Sequence, residues 1–450
     1  TLPTIDESLA RKLLIDKDMK TMNQKDNREI KVEKFNVTIP AGSDSRRIEE
    51  ELIPITDEMN RTELLINRVT YLKKLDEAER EVKRLTEAIR VKIGKPKFRP
   101  NAAADNIELF FEEKGLPIQR INQKSGKPAM DKETLQALQS LGEELAGDVI
   151  KAREAIARLS QLTHWGEFAK AGKVQCTWLQ LGTPHGRYSC EKPNLQNRIE
   201  AIRETIEAPS GHKFVSWDLG QAEYVTLASL SQDPTLTGAF GEGKDFHEEM
   251  WREIKAIVPE VTNFVINEKS ERDAGKTMNF AILYLMQAFT LGKRLGISTE
   301  QAQKLIDAWK ARAPIGSQYI ENYLFHVKQT GQTSTKFGRT RAMPEIEKAK
   351  GPFLHELEKT AWHHHNAGTA SELLKIKQIK VWKAVRRAGL TEEDARVALQ
   401  MHDEIIMIVK DEFVAQVEKI GTEKFKEEIP GFLPFAVTQK TGQTWSDTSK

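Results

Sequence analysis

The chain has 450 residues, with 68 basic against 66 acidic side chains, a net charge of +2, and 39% hydrophobic and 30% charged residues. This composition suits sizeable cores under a polar surface, predicts about three domains, and confines any nucleic-acid-binding surface to local basic patches. Cys176 and Cys190 lack paired spacing, which fits a reducing compartment and argues against structural zinc. No apolar run approaches the ~20 residues of a membrane span and no secretory signal is evident, so the expected location is the cytosol of a cell or host cell.

Residues 1–50 are polar and read as a helix, a short extended piece and a linker around Pro40, Ala41, Gly42 and Ser43. The start at Thr1 fits a processed or truncated piece of a longer protein. From Ile53 to Ile93 the pattern predicts a charged helix, with Leu64, Leu65, Val69, Leu72 and Leu75 near a 3.6-residue period. Its end turns basic, with Lys92, Lys95, Lys97 and Arg99 among Gly94, Pro96 and Pro100, and Arg120, Lys124 and Lys127 continue the theme. A basic tip on a helical arm suits the backbone of a duplex. Gly172 to Gln180 then reads as a strand leading to Arg187 in a Gly-rich loop and to Asn194–Asn197.

In FVSWDLGQAEYVTLASL a β-type run through Phe214, Val215 and Trp217 meets Asp218, and a helical pattern begins three residues later. A carboxylate at the tip of a buried strand is rigid and accessible, which suits a metal; the plainer reading is a helix N-cap. In ERDAGKTMNFAILYLM, Arg272, Lys276, Phe280 and Tyr284 recur every four residues. Each step of four turns a helix by only about 40°, so they form one stripe, cations towards the N-terminus and rings towards the C-terminus. Such a stripe suits a polyphosphate with a base and sugar beyond it, against the alternative of a solvated amphipathic face. In GISTEQAQKLIDAWKARAP, Ser298 and Gln301 form a capping-box pattern that starts a helix, with Pro314 just beyond it.

His363, His364 and His365 resemble a metal site, but consecutive helical residues point about 100° apart and cannot converge on one ion. Packing or surface placement is expected for them. In MHDEIIMIVK, His402, Asp403 and Glu404 separate two apolar β-type runs and predict a hairpin tip. A tip built without Asn-Gly or Asp-Gly points to a role for its acids beyond turn formation.

Together these motifs resemble DNA polymerase family A, of the bacterial DNA polymerase I type. Motif A matches Asp218, Gln221 and Glu223; motif B matches Arg272, Lys276, Phe280 and Tyr284; motif C matches His402, Asp403 and Glu404. TPHGRYSCEKPNLQNRI, AFGEGKDFH ending at His247, FGRTRAMPEI and KTGQTWSD extend the likeness over roughly residues 50–450. The resemblance implies an α/β (α+β) right-hand fold with an antiparallel palm sheet, helical fingers and a helical thumb. The expected divisions are an N-terminal segment at 1–50, thumb and base at 51–164, palm at 165–231, fingers at 232–355 and the second part of the palm at 356–450.

It further implies template-directed addition of deoxynucleotides to a primer 3′ hydroxyl with two Mg2+ ions, Mn2+ being a substitute. Asp218, the Leu219 carbonyl and Asp403 would hold the metals, with Glu404 accessory. Arg272, Lys276 and His247 would hold the triphosphate, with Lys276 also placed to protonate the leaving pyrophosphate. Gln221, Phe280 and Tyr284 would line the nucleotide site, and Glu223 would block a ribose 2′ hydroxyl. Arg187, Asn194, Gln196, His402, Arg339 and Lys359 would contact DNA. Expected partners are primer-template DNA, dNTPs and a processivity factor or replisome partner, around a monomeric enzyme. Some fifty N-terminal residues leave no room for a proofreading exonuclease fold. Leu285 stands where a Gly is usual, Val225 replaces an Arg and Ala367 a Gln, which bears on fidelity and template contacts. The competing readings are a single-subunit RNA polymerase or reverse transcriptase, from which Glu223 discriminates, and a catalytically dead primer-template binder, against which both aspartates argue.

Overall fold

The computed structural model describes residues 29–240, 244–265 and 270–449, so the helix expected within the first 28 residues lies outside the described part. At its centre is a four-stranded antiparallel sheet in the order Ala395–Met401, Glu404–Lys410, His212–Gly220, Ala436–Gly442. The strand His212–Gly220 is central and is buried on both faces from Phe214 to Leu219, which suits its largely apolar sequence FVSWDL. Trp217, fully buried, stacks on Phe425. A Cβ on Gly421 would come within 2.2 Å of that indole, so only glycine lets the helix Val414–Lys426 lie flat on the sheet.

The 37-residue helix Gly351–Arg387 has most of its second half buried and shares the core of that sheet through Leu373, Leu374 and Val381. It packs against the helix Asp44–Arg61, and the two are joined by a buried ionic cluster: Glu49 accepts from Arg339 and Lys375, and Glu372 accepts from Ser45. The extended piece expected near the N-terminus is a pair of strands, Glu29–Val32 and Val37–Pro40, which adds to the hairpin Gln332–Ser334/Thr340–Ala342. The expected linker is a turn followed by Ser43, which caps Asp44–Arg61 by accepting from the Arg46 N–H.

The continuous helix expected over Ile53–Ile93 is two helices, Asp44–Arg61 and Arg68–Ile93, separated by the strand Leu64–Ile66. That strand pairs with Lys173–Val174 and Ile206–Glu207, a non-local interaction that overrides the local pattern. Leu64 is buried within it, whereas Leu65, Val69 and Leu72 are exposed and the inward residues of Arg68–Ile93 are Tyr71, Ala78 and Ile89. Arg68–Ile93 lies along Glu144–Ala171, and their far ends close a separate core around Phe110, Leu135, Leu138 and Val149. At this tip Lys92 faces Asp148, Lys95 faces Glu108 and Glu113, and Arg99 faces Asp105. A third core, built from buried residues between Tyr224 and Ile320 with Trp362, includes Met250, Trp251, Leu305 and Trp309. No described helix is long and apolar enough to cross a membrane.

Candidate active site

Asp218 and the acids of the hairpin tip meet through strand register. Glu404 pairs with Asp218 across the sheet, and the Leu219 N–H donates to the Asp403 carbonyl at 3.0 Å. Two residues, His402 and Asp403, close the hairpin between Met401 and Glu404. His402 has φ +48°, a left-handed conformation that costs a non-glycine residue roughly 1 kcal/mol or more and persists only where surrounding structure enforces it. Gln196 and Gln400 enforce it here: the Gln196 amide donates to the carbonyls of Tyr188 and Gln400, and the Gln400 amide donates to the His402 carbonyl. Asn194 shapes the same loop by accepting from the Gln196 N–H. Partial burial, with Arg187 nearby, lowers the His402 pKa.

After Gly220 the chain turns at Gln221, φ +56°, and the helix Ala222–Ser231 begins. Glu223, on its first turn, is 8% exposed. Its Oε1 accepts from Arg187 Nη2 at 2.5 Å and from the Tyr284 hydroxyl at 3.3 Å, and its backbone carbonyl accepts from Asn366 Nδ2. Arg187 also lies 3.8 Å from Asp403. Burial works against its charge, but Asp403 and Glu223 more than offset this and raise its pKa. Burial, then the neighbouring Glu223, raises the Tyr284 phenol.

The helix Glu271–Leu283 carries the expected stripe: Arg272 and Lys276 are exposed, and Phe280 and Tyr284 are half-buried with rings stacked at 5.8 Å and 7°. It lies so close to the helix Phe246–Ile257 that a Cβ on Gly275 would sit 2.3 Å from the His247 carbonyl oxygen. Asp245 caps that second helix, accepting from the N–H groups of His247 and Glu248, and also holds Arg272 Nε at 2.9 Å. The sequence reading missed Asp245, although Asp245 followed three residues later by Glu248 is a recognisable N-terminal signature. His247 is 4% exposed, 5.7 Å from the Phe280 ring, and has its pKa lowered to about 4 by burial.

Of the residues expected at DNA, one is buried. Arg339 is 1% exposed and belongs to the buried cluster with Glu49 and Glu372, so its guanidinium cannot reach a phosphate on the surface. Lys359 pairs with Glu356 on the surface of the long helix. The three histidines diverge as expected. His363 packs on His185 and Tyr284, His364 meets the Arg339 carbonyl, and His365 bonds Tyr319 while stacking on Tyr323. Asn366, beside them, escaped notice because nothing in its local sequence ties it to Glu223.

Leu285 ends the helix Glu271–Leu283 with φ +49°. The Leu285 N–H donates to the Ile282 carbonyl and the Met286 N–H to the Ala281 carbonyl, the double closure of a Schellman motif whose left-handed position favours glycine. Among the described residues no three His, Cys, Asp or Glu side chains converge on a point that could hold a metal. Asp218, on a strand, and Asp403, in the turn beside it, are nevertheless the hard oxygen donors that Mg2+ prefers, and that ion usually takes only one or two carboxylates besides phosphate and water.

The sequence matches the DNA polymerase family A model over residues 69–447, and the chain belongs to that family. It is 29% identical over 414 residues to the thermostable DNA polymerase I of Thermus aquaticus, covering 89% of this chain and 48% of that protein. It is also 29% identical over 422 residues to DNA polymerase I of Chloroflexus aurantiacus, covering 90% of this chain and 43% of that one. The chain thus spans about half the length of the curated relatives it matches. Its fold is that of a solved structure described as the POL domain of Pol1 from M. smegmatis in complex with DNA primer-template and dNTP. The TM-score is 0.79 at 24% identity, covering 89% of this chain and 70% of that one.

Proposed function

We propose that the chain is a template-directed DNA polymerase that extends a primer 3′ end with deoxynucleotides. The observation that carries this reading is that the strand bearing Asp218 is hydrogen-bonded to the hairpin turn bearing Asp403, with Arg187 beside Asp403 and bonded to Glu223, which also accepts from Tyr284 at the end of the helix bearing Arg272 and Lys276. Asp218, Asp403 and the Leu219 carbonyl are the groups that would hold divalent metal, with Glu404 beside them. Two Mg2+ ions, or Mn2+, would activate the primer hydroxyl and neutralise charge developing on the phosphates.

The chain's own residues supply positioning and electrostatics, which phosphoryl transfer chiefly needs. Arg272, Lys276 and His247 hold the triphosphate, and Lys276 is the proton donor to pyrophosphate. Phe280 and Tyr284, stacked on each other, form a wall for base and sugar, and Gln221 and Glu223 close the side nearest the metal-binding strand. Arg187, His402, Asn194 and Gln196 face the primer terminus. The seat of Arg187 between Glu223 and Asp403 supports this, since it links the sugar pocket to a metal-binding carboxylate.

We also propose that these 450 residues contain no 3′ to 5′ exonuclease, because the family match takes up residues 69–447 and a nuclease needs dispersed carboxylates on a fold of its own. The test is extension of a labelled primer on a DNA template with each nucleotide set. Extension that requires template, divalent metal and dNTPs supports the reading. Template-independent addition, or equal use of ribonucleotides, overturns it.

A further inference from the structure

A buried hydrogen-bond chain runs from the helix Thr299–Arg312 to His247 through Asn279, the residue preceding Phe280 on the motif B helix. Trp309 Nε1 lies 3.1 Å from Asn279 Oδ1, and Asn279 Nδ2 lies 3.1 Å from His247 Nδ1. Trp309 and Asn279 are fully buried and His247 nearly so.

The chemistry of the first member decides the rest. An indole nitrogen can only donate, so the atom of Asn279 facing Trp309 must be its carbonyl oxygen. The amide nitrogen therefore faces His247, and because it too can only donate, His247 Nδ1 must accept and carry no proton. A flipped amide would set N–H against N–H between fully buried side chains, leaving a buried donor unmet. Burial and the nearby cations Arg272 and Lys276, against the pull of Asp245, keep the ring neutral with a pKa of about 4. A neutral ring with a bare Nδ1 has its one proton on Nε2.

We infer that Trp309 and Asn279 are positioning residues that fix the tautomer of His247, so that the ring offers an Nε2–H donor to the triphosphate. This rests on the reading of His247 as a triphosphate ligand. The opposite tautomer would turn a lone pair towards an anion. The chain is held in place from both sides: the Tyr224 hydroxyl donates to the backbone carbonyl of Asn279, and Gly275 admits the His247 helix at close approach. Asn279 is otherwise an unexplained polar residue on a helix face made of Ala274, Met278, Ala281 and Ile282.

The direct test is a long-range 1H–15N correlation spectrum of the full chain labelled at histidine, with the His247 signals identified by their loss in His247→Gln. The expected result is a protonated Nε2 and a bare Nδ1. Trp309→Phe, which keeps an aromatic ring but removes the N–H, should give a mixture of tautomers and raise KM for the incoming dNTP about threefold to tenfold with a smaller change in kcat. Asn279→Asp, which presents an acceptor to Nδ1, should move the proton to Nδ1 and serves if the tryptophan variant does not fold. A protonated Nδ1 in the unaltered protein, or a His247 spectrum that neither variant changes, would overturn the inference. The spectrum needs no substrate: an inactive protein with the expected tautomer would count against the polymerase reading alone. Altered tautomers with an unchanged KM would overturn the proposed role towards the triphosphate.

Discussion

Removing the Glu223 side chain should relax the choice of sugar. Its carboxylate is fixed from two sides by Arg187 at 2.5 Å and Tyr284 at 3.3 Å, and its backbone by Asn366, so it cannot swing aside for a larger substrate. A ribose 2′ hydroxyl entering this corner would displace one of those bonds or go unpaired, at a cost of about 1 to 3 kcal/mol. At 1.36 kcal/mol per tenfold this is roughly 5- to 150-fold in discrimination. Glu223→Ala should therefore lower the ratio of kcat/KM for dNTP over rNTP by a factor in that range, measured by single-nucleotide extension. Glu223→Gln keeps the volume and an acceptor oxygen and should retain most of the ratio. The alanine variant should also melt earlier, since Arg187 is left with Asp403 at 3.8 Å as its remaining acidic neighbour here. An unchanged ratio accompanied by a lowered Tm would refute the reasoning and leave Glu223 as a structural ion-pair partner and favourable helix-terminal acid.

Other perturbations test separate parts of the account. At Leu285, φ +49°, Gly should be more stable than Ala by about 1 kcal/mol in chemical denaturation, because both delete the side chain but only glycine relieves the left-handed backbone. Arg339→Met should unfold at clearly lower denaturant, by about 3 to 5 kcal/mol, because two buried carboxylates, Glu49 and Glu372, are left with Lys375 as their one cation in the cluster. The salt dependence of primer-template binding by the folded fraction should be unchanged; a reduced salt slope would return Arg339 to the DNA surface. His247, His364 and His365 have pKa values lowered to about 4, 3 and 4 by burial, so the unfolded chain takes up their protons first. Stability should hold above pH 6.5 and fall as pH drops from there towards 4, by up to about 1.4 kcal/mol per histidine per pH unit. A flat melting profile between pH 7 and 5 would contradict this.

The parts of the site that stand on regular elements were legible in the sequence because their polar residues interrupt an apolar run or follow a period. Asp218 ends a largely apolar β-type run, His402–Glu404 divide two such runs, and the stripe Arg272–Tyr284 follows the helical repeat. Strand register then does what the sequence could only suggest, setting Glu404 opposite Asp218. The misreadings share a physical cause, which is a distant partner. Leu64–Ile66 is drawn out of a helical pattern by strands more than a hundred residues later. Arg339 is buried only because Glu49 and Glu372 arrive to neutralise it, and Glu49 lies 290 residues away. Asn366 and Trp309 act on Glu223 and His247 from other helices, and neither carries a local sign of it.

The most direct measurement is primer extension by Asp218→Ala and Asp403→Ala, each shown to be folded, alongside primer-template binding by the same samples. The account predicts that each substitution abolishes extension while binding is largely retained, because the aspartates hold metal and duplex affinity comes mainly from basic contacts. Glu404→Ala should be milder. Near-normal turnover by either aspartate variant would contradict the assignment of the metal site, and with it the proposed mechanism.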